Sequence, residues 1–166
     1  AGNLKKSVFL DKVRFDRIQL NIFGSGIEFR SLNEGCVYQG CFYPYDLRKH
    51  LNSMFGLVWD GDSIETCSGE TGEYLKYNIP HKLSMYISCG IPVIVWSQSA
   101  MADFVFNKKI GLVIDSIAEI EEIISKLSKS DYENMYANVM SLKVKVTSGY
   151  FLSKSIEEAL DYLMCK

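Results

Sequence analysis

Apolar residues concentrate in short runs at 18–23, 36–39, 57–59, 92–96 and 112–114, the last three unbroken. Runs of that length, bounded by glycine, asparagine and proline, predict strands buried on both faces. Between them the apolar spacing turns helical. Leu47 and Leu51, four apart, place a helix over 45–54. Further helices are predicted over 80–89, with Gly90 as its cap, then 100–107, 117–127, 131–146 and 153–164. A weak helix is predicted over 5–13, where Val8, Phe9 and Val13 sit among lysines. Ser130, with Glu133 three residues on, reads as the capping box of the 131–146 helix. Strands alternating with helices predict a parallel sheet with helices on both sides. The expectation is one Rossmann-like three-layer α/β domain over 1–166. Ligands of such folds sit beyond the carboxyl ends of the strands, which here means 24–26, 60–78 and 96–100. The polar, glycine-rich stretch 61–78 reads as a long mobile loop suited to closing over a ligand.

Composition narrows the class. A chain of 166 residues, 48% hydrophobic and 13% aromatic, is enough for one domain with a core. The net charge of −2 gives a nucleic-acid partner no electrostatic support. The five cysteines are odd in number and form no Cys-x-x-Cys pair. They read as reduced thiols, mostly small core residues, of a cytoplasmic protein. No apolar run reaches the length of a membrane span and no signal peptide is visible. The start at Ala1, without methionine, is expected of a domain cut from a longer protein.

Candidate chemistry is sparse. With only His50 and His81, no serine–histidine–acid triad can be assembled, and His50 falls on a polar, exposed helix. Gly24-Ser25-Gly26 follows a strand, but Phe29 stands where a dinucleotide fingerprint needs glycine. A plain turn and a close approach to phosphate or sugar both remain open for it. Asp60-Gly61-Asp62 reads as turn chemistry rather than a cation site, and no metal is expected. Asn78 reads as an N-cap with Pro80 in the first turn. That puts Lys82 in the first turn too, against the helix macrodipole, where it would cost the empty domain ~0.3–1 kcal/mol. A bound anion would reverse the sign. An anion site and a solvated lysine are both compatible with that pattern. The 96–100 turn opens a helix whose N–H groups could meet an oxygen-rich ligand.

Three blocks taken together are similar to a known family. They are Phe55-Gly56-Leu57-Val58-Trp59-Asp60-Gly61, then GETGEYLKYNIPHKLSMYISCGIPVIVW at 69–96, then ADFV at 102–105. They resemble bacterial β-1,6-galactofuranosyltransferases of the two-domain GT-B type. More distantly, they resemble glucosyltransferases that glycosylate serine-rich adhesins. Gly2-Asn3-Leu4 with Lys6-Ser7 resembles the first segment of that family's C-terminal domain.

The resemblance implies the nucleotide-sugar-binding half of the enzyme, without the N-terminal acceptor domain. It implies a UDP-sugar donor, galactofuranosyl favoured, and transfer to a saccharide or glycolipid acceptor in cell-surface polysaccharide synthesis. UDP-glucose-dependent glycosylation of adhesins, or a non-catalytic nucleotide-binding or assembly module, are the alternatives. A sugar-nucleotide epimerase lacks its usual acid and histidine pattern here. No cofactor is implied. A homo-oligomer and peripheral association of the full-length protein with the inner face of the cell membrane are compatible with it. The implied donor residues are Lys82 on the diphosphate, Asn78 and Tyr77 at the mouth of its helix, and Gly24 and Ser25 at the first strand end. Asn3 and Lys6 fall in an N-terminal loop that contacts phosphate, and Tyr74 lies in the loop before Tyr77. The catalytic base is expected in the missing half. Related families place a ribose-binding glutamate five residues before the Gly-x-Pro-Val turn. Met85 stands there.

Overall fold

In a computed structural model, residues 2–27 and 31–164 are described; Phe29 and Cys165 fall outside them. Every strand pairing among these residues is parallel. β1 (Gly2–Asn3), β2 (Leu20–Ser25) and β3 (Cys36–Gly40) form one three-stranded sheet in that order. β4 (Gly56–Val58), β5 (Val93–Trp96) and β6 (Gly111–Ile114) form a second. The helices are α1 (Pro44–His50), α2 (Gly69–Glu73), α3 (His81–Cys89), α4 (Ala102–Lys108), α5 (Ile120–Lys126), α6 (Lys129–Thr147) and α7 (Tyr150–Met164). The predicted helix over 5–13 is instead two short 3-10 turns, Leu4–Lys6 and Val8–Asp11.

The period of two along β5 explains the layers. Val93 and Val95 join one core cluster with Leu83, Val105 and Val139, from α3, α4 and α6. Ile94 and Trp96 point the other way, into a cluster with Leu4, Phe9, Leu10 and Ile120. A strand buried on both faces cannot alternate polar and apolar residues, which is why it reads as an unbroken run. The second cluster also takes in Ile22 of β2 and Trp59 just after β4. It therefore ties the two sheets together with side chains.

Element ends show where local sequence misled. α6 is capped by Ser128, whose hydroxyl accepts from Asp131 N at 3.1 Å, not by Ser130. The capping box lies at Ser116 and Glu119, before the 3-10 turn Ile117–Glu119. α3 starts at His81 with Pro80 in the cap position and no side-chain cap, so Asn78 is not its N-cap. Gly90 does end α3, with φ of 81°. That left-handed geometry favours glycine, and its N–H bonds back to Ile87 O at 2.9 Å.

The stretch 61–78 is not the loosely held loop that its composition predicts. It contains α2 and a 3-10 turn, Tyr74–Lys76. Cys67 and Leu75 are fully buried. Gly61 N bonds to Lys6 O, and Ala100 N to Leu75 O. Two apolar anchors therefore pin the segment from within while its polar side chains face outward. The Ala100 amide, bonded to Leu75 O, should exchange slowly with solvent deuterium in the empty protein. Exchange as fast as in a free peptide would restore the mobile-loop reading.

Cysteines depart from expectation too. Among the described residues only Cys67 is a buried cysteine; Cys36 and Cys89 are half-buried and Cys41 is exposed, all four as free thiols. Burial pushes the Cys67 thiol up from 9.0 to about 12. Because the folded value is the higher one, the stability that protonated Cys67 contributes is complete below pH 9 and is lost as pH rises toward 12. At pH 8 a thiol reagent should label Cys41 rapidly and leave Cys67 untouched until the protein unfolds. Labelling of Cys67 at the same rate as Cys41 would contradict its burial.

Candidate functional site

The carboxyl end of β2 meets the amino end of α3 across a pocket of about 730 Å³. Gly2, Gly24 and Ser25 form one side. His81, Lys82, Ser84, Met85 and Ser88, along α3, form the other. Phe42, after β3, and Pro44, at the start of α1, also line it.

Gly24 is where two backbones nearly touch. It pairs with Gly2 in the β1–β2 register and has φ of +139°. A Cβ there would stand 1.8 Å from Gly2 O. Neither a side chain nor its backbone angle could be accommodated, so the strand end presents bare peptide to the pocket.

On the opposite wall the first N–H groups of α3 have no intrahelical acceptor, as at any helix start. No acidic residue occupies that turn. Lys82 therefore stands against the helix dipole, as the sequence predicts, but it is a paired rather than a loose surface lysine. Its Nζ donates to Asp60 Oδ1 at 2.6 Å and to Trp59 O at 3.2 Å. Both side chains of the pair are only about a fifth exposed, at 20% and 18%. Asp60 is thus more than the turn residue its Asp-Gly-Asp setting implied: at the end of β4 it is the counter-ion of Lys82. The expectation that Lys82 burdens the empty domain is corrected accordingly, because the ion pair offsets the unfavourable dipole. Asp62 packs elsewhere, over Gly69, where a Cβ would lie 2.6 Å from its Oδ2.

The other expected donor residues are scattered. Gly24, Ser25 and Lys82 share the pocket. Asn3 does not line it; its side chain accepts from Lys5 N at 3.1 Å and caps the first 3-10 turn. Lys6 is exposed, and its carbonyl takes the Gly61 amide. Tyr74 and Tyr77 are exposed at 60% and 82%, outside the pocket lining. Asn78 N closes the preceding turn onto Tyr74 O. The 96–100 turn is joined to Leu75 rather than to this pocket. His50 is exposed as expected and stacks on Phe42 at 3.8 Å between centroids.

Met85, at the position where the resemblance implies a ribose-binding glutamate, does line the pocket, and its thioether brings no charge. Residues that the sequence did not single out are Phe42, Ser84 and Ser88; Gly2 stood out only as part of a matching segment, and Asp60 only as a turn residue. The i, i+3 and i+4 spacing of Lys82, Met85 and the nearby serines could have placed them on one helix face. Nothing local announces that Asp60, twenty-two residues earlier, would reach Lys82. Among the described residues no group of three His, Cys, Asp or Glu is placed to hold a metal ion, and no helix is long and apolar enough to cross a membrane.

One wall of bare peptide and one of cation plus helix start is an arrangement that can hold an oxyanion without a metal. The family model described as "Glucosyltransferase 3-like, C-terminal domain" matches residues 1–159. The chain is 42% identical over 165 residues to Beta-1,6-galactofuranosyltransferase WbbI of Escherichia coli (strain K12), covering 98% of this chain and 49% of that protein. It is 33% identical over 105 residues to Glucosyltransferase 3 of Streptococcus gordonii, covering 63% and 30%. A Glucosyltransferase 3 of Streptococcus parasanguinis is 25% identical over 111 residues, covering 67% and 32%. The chain thus spans about half the length of the first of these relatives.

Proposed function

Because the chain belongs to the Glucosyltransferase 3-like C-terminal domain family, we propose that it is the donor-binding half of a glycosyltransferase. The donor is a UDP-sugar, galactofuranosyl favoured, and the acceptor is a saccharide or glycolipid of cell-surface polysaccharide synthesis. The observation that carries the reading is the meeting of Lys82, the first turn of α3 and the Gly24 strand end around one pocket. Galactofuranose is favoured because the likeness to the Escherichia coli protein runs through 98% of the chain. The family description favours UDP-glucose as the second donor.

Transfer builds negative charge on the departing diphosphate. Lys82 Nζ and the α3 N–H groups stabilise that charge where it grows, which lowers the barrier without a divalent ion. The base that takes the acceptor proton belongs to the other half of the enzyme. A full-length protein joining this chain to its acceptor half is placed in the cytoplasm, at the inner face of the membrane where lipid-borne acceptors would be met.

A transfer assay on that full-length protein, with UDP-galactofuranose, UDP-galactose and UDP-glucose in turn and with EDTA present, tests the proposal. Transfer from UDP-galactofuranose, undiminished by EDTA, is the expected result. Transfer from UDP-glucose alone would favour the second donor. No transfer from any of the three, with UDP still bound, would favour a non-catalytic binding module.

A further inference from the structure

We infer that Asp60 is a positioning residue for the donor diphosphate, acting through Lys82. This rests on the proposed role of Lys82 and extends it to a residue that never touches the ligand. An ammonium has three N–H donors. Asp60 Oδ1 takes one at 2.6 Å and Trp59 O another at 3.2 Å. One donor remains, on a side chain that lines the pocket. A lysine at the end of four rotatable bonds is otherwise free to wander, so fixing two of its donors aims the third.

The surroundings of Asp60 suit that task. Its backbone lies beside that of the buried Cys67, both meeting Gly72 of α2. A Cβ on Gly72 would lie 3.1 Å from Asp60 O, so α2 packs directly on it. Trp59, next in chain, is 1% exposed and donates its indole N–H to Ser63 O. The carboxylate therefore stands on a stiff base, and the ammonium inherits that stiffness. From the other side the Lys82 stem runs past Gly2, where a Cβ would sit 3.6 Å from Cε.

The sign of one substitution separates positioning from plain electrostatics. Asp60 is an anion beside a site for an anion. If charge were all that mattered, removing it would tighten UDP. If it positions Lys82, removing it weakens UDP. Calorimetric titration of UDP into this chain is the measurement, on wild type, Asp60→Ala, Asp60→Asn, Lys82→Ala and the double variant Asp60→Ala/Lys82→Ala. Asp60→Ala should weaken UDP about tenfold. Asp60→Asn keeps an acceptor oxygen at the same reach and should bring affinity back to within about threefold of wild type. In the Lys82→Ala background, Asp60→Ala should have no further effect. If Asp60→Ala does not fold, Asp60→Ser serves, since its hydroxyl is too short to reach the ammonium. Equal or tighter binding by Asp60→Ala or Asp60→Ser, with Lys82→Ala still impaired, overturns the positioning role and leaves the phosphate site standing. Unchanged affinity in Lys82→Ala overturns both.

Discussion

Lys82→Ala is expected to weaken UDP binding about 10- to 100-fold, because a charge-assisted contact to phosphate contributes roughly 1.5–3 kcal/mol. The same substitution should lower the melting temperature of the empty chain. It leaves Asp60 without its ammonium at a place where that carboxylate is only 18% exposed. A pair of this intermediate burial is worth about 1–2 kcal/mol, between the exposed and buried limits. For a domain of this size that is a fall of roughly 2–8 °C. The first-turn dipole penalty relieved by the substitution is smaller, ~0.3–1 kcal/mol, so the loss of the pair wins. The thermal shift produced by saturating UDP should shrink in step with affinity. A higher melting temperature in the empty variant would mean that the pair with Asp60 contributes nothing. Unchanged affinity would remove Lys82 from the donor site.

Gly24→Ala is expected to be the most damaging change at the pocket that adds a single methyl group. At φ of +139°, with Gly2 O only 1.8 Å from the new Cβ, neither rotation nor a side-chain shift can relieve the clash. β1 must leave its register with β2, and the two-residue strand has no other sheet partner. Backbone strain and the lost pairing together cost roughly 2–4 kcal/mol, a fall of about 4–16 °C in melting temperature. UDP affinity should drop at least about tenfold, since Gly2 and Gly24 form one wall of the pocket. Ser25→Ala, one residue on and exposed, is the control and should change stability by less than ~0.5 kcal/mol. Equal melting temperatures for Gly24→Ala and wild type would show that β1 is not held where it is described.

What could be read in the sequence is what depends on period and on local chemistry. The strand at 93–96 is four apolar residues between Pro92 and a turn, and both of its faces are covered. Unbroken hydrophobicity is the direct trace of that burial, so the parallel, helix-covered architecture could be predicted. Gly90 after a helical run is likewise a local signal, and it does end α3. The caps of α3 and α6 each lie two residues from the ones their local sequence suggests, because serine, asparagine and proline stand close together. Which of them takes the cap is decided by how the helix docks, not by its own preference.

The stretch 61–78 failed for a different reason. Its glycines and charges outnumber its apolar residues, yet the buried Cys67 and Leu75 anchor it to the core. Two anchors in eighteen positions leave no periodic mark. The pocket brings together Gly24, Ser25 and Lys82, at a strand end and a helix start, while Asn3, Lys6, Tyr74, Tyr77 and Asn78 stand outside its lining. Nothing along the chain says which way a loop side chain turns. The Asp60–Lys82 pair is a tertiary contact between the end of one strand and the start of a helix, and only the fold brings the two together.

The most direct test of the central claim is an amide chemical-shift map of this chain titrated with UDP. The donor-site account predicts that the largest shifts fall on Gly24, Ser25, His81 and Lys82, at the two walls of one pocket, and that Lys82→Ala abolishes them at the same UDP concentration. Saturable shifts centred elsewhere in the fold, with those four amides unmoved, would contradict it.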